Sequence, residues 1–65
     1  MKYKIEIWCW RALKDIYESE DLHDVLDWFF RNWYTSYDNG FCAFDVYEDG
    51  RELSFEEAYD LGFYG

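Results

Sequence analysis

The chain has 65 residues, of which 15 are acidic and 6 are basic, so its formal net charge is −9. This length predicts a single domain over residues 1–65 with a small core. The acidic balance argues against direct contact with nucleic acid phosphates or anionic membrane surfaces, since both require a basic patch, and it favours a basic protein partner. A hydrophobic fraction of 51%, with 4 Trp, 7 Tyr and 6 Phe, indicates a folded chain despite the charge.

The charge and hydrophobicity also bear on location. The longest apolar segment is interrupted by Asp24, Asp27 and Arg31, so no membrane-spanning segment is expected. The N-terminal sequence MKYKIEIWCW has neither the apolar core nor the cleavage site of a secretory signal. We therefore expect a cytoplasmic protein.

Residues 3–10 alternate between an apolar and a mixed face, which is typical of a strand. The first face carries mostly aliphatic or small side chains, namely Tyr3, Ile5, Ile7 and Cys9. The second face carries two tryptophans among charged residues, namely Lys4, Glu6, Trp8 and Trp10. Residues 11–18 fit either one helical turn or a second strand. We favour the strand, which forms a hairpin with the first.

The main helix is predicted at Glu20–Ser36. Apolar residues recur there at steps of three and four, namely Leu22, Val25, Leu26, Phe29, Phe30 and Trp33. Ser19 is the predicted N-cap. The sequence Asp38-Asn39-Gly40 is predicted to end the helix, because asparagine and glycine tolerate the left-handed conformation found there.

A second hairpin and a short helix follow. Residues 40–48 alternate, and Asp49-Gly50 is the dipeptide preferred in a type I′ turn before a short return strand at residues 51–53. Ser54 and Glu57 have the spacing of a capping box, which predicts a helix to about Leu61 that ends at Gly62. Residues 63–64 are expected to fold back onto the core.

Together these elements predict an α+β domain in the order β(β)αββα. Its three- or four-stranded antiparallel sheet carries one main helix and one short C-terminal helix on the same face. The predicted core comprises Ile5, Ile7, Leu22, Leu26, Phe29, Trp33, Phe44, Val46, Leu53 and Leu61.

No catalytic, metal or cofactor site can be built from this sequence. The chain has one histidine, His23, which is interpreted as a solvated helix residue. Cys9 and Cys42 are interpreted first as small buried side chains, and a bridge between them remains open if the first and third strands are neighbours. We expect a protein that is not an enzyme.

The second half of the chain has an excess of acids without a local role. Residues 36–65 contain eight acids against Arg51 alone. After those at helix N-termini and in the turn are set aside, the excess consists of Asp38, Asp45, Glu48, Glu52 and Asp60. Such a surface is consistent with solubility alone. The alternative is an imitation of a phosphate backbone that fits the basic cleft of a nucleic-acid-binding protein.

The face of the sheet away from the helices presents aromatic rings next to acids. Trp and Tyr are enriched in protein interfaces, so we predict a docking surface formed by Trp8, Trp10, Phe41, Asp45, Tyr47, Glu48, Glu52 and Asp60. A competing interpretation packs these rings on each other, on Phe63 and Tyr64, or in a dimer.

The functional prediction is a small acidic, non-enzymatic protein-interaction domain without a cofactor. In its type, though not through any motif, the chain resembles accessory proteins of phages and mobile elements, which include inhibitors of basic nucleic-acid-binding proteins. The alternative function is a self-associating, homodimeric structural domain.

Overall fold

The computed structural model describes residues 1–36 and 41–64. A four-stranded antiparallel sheet with the strand order β2-β1-β3-β4 is combined with two helices. The elements are β1 (Tyr3–Cys9), β2 (Ala12–Ser19), α1 (Leu22–Ser36), β3 (Cys42–Glu48), β4 (Arg51–Glu52) and α2 (Phe55–Leu61). The predicted α+β class and element order are confirmed, and residues 11–18 contain a strand rather than a helical turn.

The central pair of strands, β1 and β3, carries the apolar face of the sheet. Ile5 lies opposite Val46, and Ile7 lies opposite Phe44. Since side chains alternate across a strand, these residues all point to the side where the helices pack. The sheet is therefore covered on one face, as the alternation predicts.

Both hairpins turn through residues with positive φ. Asp49 (φ 52°) and Gly50 (φ 85°) form the predicted turn between β3 and β4. The turn between β1 and β2 uses Trp10 (φ 55°) and Arg11 (φ 67°) without any glycine. Left-handed conformations cost such residues about 1–2 kcal/mol each, which is why the sequence did not indicate a tight turn there.

Helix α1 begins two residues later than predicted. The Asp21 carboxylate accepts a hydrogen bond from the His23 backbone N–H (3.0 Å), and the Ser19 hydroxyl accepts one from the Asp21 N–H (3.0 Å). Asp21 thus occupies the capping position, and the prediction of Ser19 as N-cap was wrong. The predicted helix end at Asp38-Asn39-Gly40 lies outside the described residues.

Phe29 of α1 is at the centre of the core. It is fully buried, and its ring contacts those of Phe30, Trp33, Phe44 and Phe63 at centroid distances of 4.6–5.7 Å. All ten predicted core residues are either buried or packed against the buried cluster. Val25, Ala58 and Phe63 are buried as well.

The caps at the two ends of α2 direct the C-terminal segment back onto the core. The capping box is present: the Ser54 hydroxyl accepts from the Glu57 N–H, and the Glu57 carboxylate accepts from the Ser54 N–H. Hydrogen bonds from Arg51 and then from Ser54 lower the pKa of Glu57 to about 2. At the other end, Gly62 (φ 107°) reverses the chain and places Phe63 in the core.

A disulfide bond joins Cys9 of β1 to Cys42 of β3. The two residues lie directly opposite each other, with their Cα atoms 4.1 Å apart. The first interpretation, two unpaired buried thiols, was wrong, and the bridge left open by the sequence is the arrangement found. It became possible because β1 and β3 are neighbours in the sheet.

We expect Phe29→Ala to lower the free energy of unfolding by about 3–5 kcal/mol, because it removes a fully buried ring and leaves a cavity. Urea denaturation followed by tryptophan fluorescence measures this loss. The control is Phe55→Ala, whose ring is largely exposed, with an expected loss below about 1 kcal/mol. Equal losses in the two variants would contradict the assignment of Phe29 to the core centre.

Replacing both cysteines, as Cys9→Ala with Cys42→Ala, is expected to lower the free energy of unfolding by about 4 kcal/mol. This is the loop-closure entropy for a cross-link over about 33 residues. The measurement is urea denaturation of the variant beside the oxidised and the reduced wild type. Reduced wild type should match the variant, whereas a reduced protein as stable as the oxidised one would refute the prediction.

Candidate protein-docking surface

The uncovered face of the sheet contains four of the eight predicted site residues. Alternation along β1 and β3 places Trp8, Asp45 and Tyr47 on this face, and Glu52 of β4 lies opposite Tyr47. Both helices pack on the other side. We call this surface the open face.

Hydrogen bonds hold the side chains of the open face in place. The Glu6 carboxylate accepts a hydrogen bond from the Trp8 indole N–H (3.3 Å) and pairs with the Lys4 ammonium (3.3 Å). The same ammonium lies 4.4 Å from the Tyr47 ring centroid. The Trp8 indole is therefore half-buried and hydrogen-bonded, and it protrudes less than the sequence suggested.

Tyr47 links this network to β4. Its hydroxyl donates to the Glu52 carboxylate (3.3 Å). Burial, followed by the negative charge of Glu6, raises the pKa of Tyr47 to about 12. The phenol consequently stays protonated into more alkaline solution than an ordinary tyrosine and remains a donor among acids.

Trp10 and Phe41 form a stacked pair at one end of the sheet. Their ring centroids are 4.5 Å apart and the planes are inclined by only 17°. Exposure is 72% for Trp10 and 55% for Phe41, so the pair is open to solvent. Each ring directly adjoins one cysteine of the disulfide in the sequence, and the Trp10 N–H donates to the Phe41 carbonyl (3.4 Å). We call these two residues the Trp10–Phe41 pair.

Glu48 and Asp60 are not brought together with the other predicted residues. Glu48 alternates to the opposite side of β3 from Asp45 and Tyr47 and lies opposite Arg51. Asp60 is exposed on α2, beside Tyr59. The predicted set is thus divided among the open face, the Trp10–Phe41 pair, the opposite side of β3 at Glu48 and the surface of α2.

A cavity that the sequence did not indicate lies along the edge of β3. It has a volume of about 250 Å³ and is walled by Phe44, Asp45, Val46, Glu52, Leu53, Ser54, Phe55, Ala58 and Tyr64. We call it the β3-edge cavity. A shallower depression beside it is lined by Phe55, Glu56, Tyr59 and Asp60. The available signal was the spacing of Phe55 and Tyr59, which puts two rings on one side of the helix.

Asp45 is the polar group most affected by this cavity. Burial, and then the charges of Glu52 and Glu6, raise the pKa of its carboxyl above the usual value. Burial and the nearby Asp45 charge also raise the pKa of Tyr64. Asp45 therefore carries an incompletely solvated negative charge next to an aromatic wall.

The residues considered for catalysis are separated or already bonded. His23 is exposed on α1, and both thiols are consumed by the disulfide. Residues 1–36 and 41–64 contain no group of three or more His, Cys, Asp or Glu side chains arranged to hold a metal ion. Within the same residues, no helix is long and apolar enough to cross a membrane.

Comparison with known proteins adds no relative: no family model, curated protein or solved structure gives a significant match to this chain.

We expect Asp45→Asn to increase the free energy of unfolding at pH 7, because it removes a desolvated charge that Glu52 and Glu6 repel. Folding raises the pKa of Asp45. Ionisation of its carboxyl therefore lowers the free energy of unfolding above the folded-state pKa, and it has no effect well below the unfolded-state pKa, near 3.8. The gain should therefore vanish on acidification through that window. Denaturation from pH 3 to pH 7 measures it, with the exposed Asp60→Asn as control. A destabilised Asp45→Asn protein at pH 7 would refute the prediction.

Proposed function

We propose that this chain is a non-enzymatic interaction domain that docks onto a basic protein through the Trp10–Phe41 pair and the adjoining open face. The observation that supports this most directly is the exposure of the two stacked rings, at 72% and 55%, outside the aromatic core around Phe29. Exposed tryptophan is costly in water and is the residue most enriched in interface hot spots.

The Trp10–Phe41 pair is also rigid. The rings stack across neighbouring strands, and the disulfide joins the residues that adjoin them. A pair held in this way loses little conformational entropy when a partner covers it. The positive φ of Trp10 adds to the argument, since backbone strain of this kind is concentrated at functional sites.

Charge indicates the class of partner. Within the part of the chain that the structure describes, several basic side chains are paired with acids: Lys2 with Glu18, Lys4 with Glu6, Arg31 with Asp27 and Arg51 with Glu57. The remaining acids produce a negative field that attracts basic proteins and speeds their association. Nucleic-acid-binding proteins are one such class. In that case the chain acts as an inhibitor that occupies their basic cleft in place of a phosphate backbone.

Self-association is the second candidate, and the exposed edge of β2 favours it. Among residues 1–36 and 41–64, β2 pairs with β1 alone, and its Leu13 and Ile16 side chains are exposed. An unpaired edge with apolar side chains can pair with the same edge of a second copy. Sedimentation at micromolar concentration separates the two candidates, because a monomer with an exposed Trp10–Phe41 pair requires a different partner.

The test is capture of a protein partner on immobilised chain, identification of that partner, and measurement of its affinity at low and high salt. We expect a basic protein, with affinity that falls as salt rises. Trp10→Ala should weaken binding by about 30-fold or more, the effect of losing a hot-spot ring. Leu13→Ala is the matched control at the β2 edge and should change little.

Two outcomes would reject the proposal. One is binding unaffected by Trp10→Ala and Phe41→Ala, and the other is affinity that does not depend on salt. A captured basic protein that still binds its nucleic acid with the chain attached would reject the inhibitor form alone.

A further inference from the structure

We infer that the β3-edge cavity receives the side chain of an arginine from the protein partner. This inference rests on the proposed function, because it specifies the chemistry of a contact with a basic protein. It concerns a place on the molecule that is distinct from the Trp10–Phe41 pair, so the two can be tested separately.

The cavity exists because β4 is only two residues long. β4 covers β3 at Tyr47 and Glu48, and the Val46 carbonyl still accepts from the Leu53 N–H (2.8 Å). The chain then turns away into α2 at Phe55. On the β4 side of β3, none of the described residues forms a strand beside Phe44, so this part of the β3 edge is open and concave.

Aromatic rings form the walls of the cavity. Tyr64 lies between Phe44 and Phe55, with ring centroid distances of 5.3 Å and 4.6 Å. Phe55 is 63% exposed and Tyr64 is 42% exposed, so ring faces are accessible from solvent. The planar guanidinium of arginine stacks on such faces and is weakly hydrated, which makes it the cation best suited to them.

Carboxylates supply the complementary charge. Asp45 and Glu52 line the cavity, whereas no basic side chain does, and no ion pair reaches Asp45 within residues 1–36 and 41–64. Burial, and then the like charges of Glu52 and Glu6, raise the pKa of Asp45, so a cation beside its carboxylate would be favourable. A guanidinium there would donate hydrogen bonds to a carboxylate and neutralise it.

The volume supports one side chain over a larger ligand. Small-molecule and cofactor sites span about 300–1,000 Å³, and the β3-edge cavity has about 250 Å³. An arginine at the end of a flexible stem reaches such a cavity while the rest of the partner stays on the surface. The open edge of β3 lies directly beside the cavity.

The test is titration of the full chain with N-acetyl-arginine methylamide, followed by amide NMR shifts. The control ligand is the citrulline analogue, which has nearly the same shape without the charge. We expect saturable shifts centred on Phe44, Asp45, Phe55 and Tyr64, with affinity for the citrulline compound lower by about tenfold. Asp45→Asn should abolish saturation, and Phe55→Ala should weaken binding about threefold. Glu20→Gln is the charge-matched control and should bind like the wild type.

Each of the following outcomes would overturn the inference that the β3-edge cavity binds arginine. Equal shifts with the citrulline compound, or shifts that Asp45→Asn leaves unchanged, exclude a guanidinium site. Equal affinity for the blocked lysine amide shows a site for charge alone, not for arginine. Shifts centred on Trp10 and Phe41 place cation binding elsewhere. None of these results bears on capture through the Trp10–Phe41 pair, so failure here and failure of the proposed function are distinguishable.

Discussion

Packing of Phe29 against the aliphatic side of β1 and β3 determines the rest of this structure. Once that ring packs on Phe44 in the same buried cluster as Ile7, both helices occupy one face of the sheet and the polar residues of the same strands must face outward. Within residues 1–36 and 41–64, both helices are used to cover that one face. The open face is therefore a consequence of how the core forms.

Periodicity was sufficient to predict the elements, because alternation and helical spacing both reflect which side chains are buried. The prediction from sequence was incomplete where a local interaction decided the backbone conformation. Asp21 displaced Ser19 as the cap of α1, and the turn at Trp10 and Arg11 contains no residue that ordinarily favours positive φ. The disulfide depended on strand order, which composition does not contain.

The surface was predicted less completely than the core. Alternation correctly placed Trp8, Asp45 and Tyr47 on one face, but it could not show that the Trp8 indole would be hydrogen-bonded to Glu6. The β3-edge cavity arises from contacts between residues far apart in sequence, such as Phe44 with Tyr64.

The disulfide between Cys9 and Cys42 bears on the expected cellular location of the protein. Disulfide bonds are rare in reducing compartments, so this one weighs against the expectation of a cytoplasmic protein.

The left-handed turn at Trp10 and Arg11 has a consequence for any redesign of this domain. Asn-Gly would suit the backbone of that turn better and would relieve strain of about 1–2 kcal/mol per residue. The same exchange would delete the most exposed indole of the molecule. Optimising this hairpin for thermostability would thus remove the ring on which the proposed docking depends, so that a gain in stability and a loss of the proposed binding would arise from the same two adjacent positions.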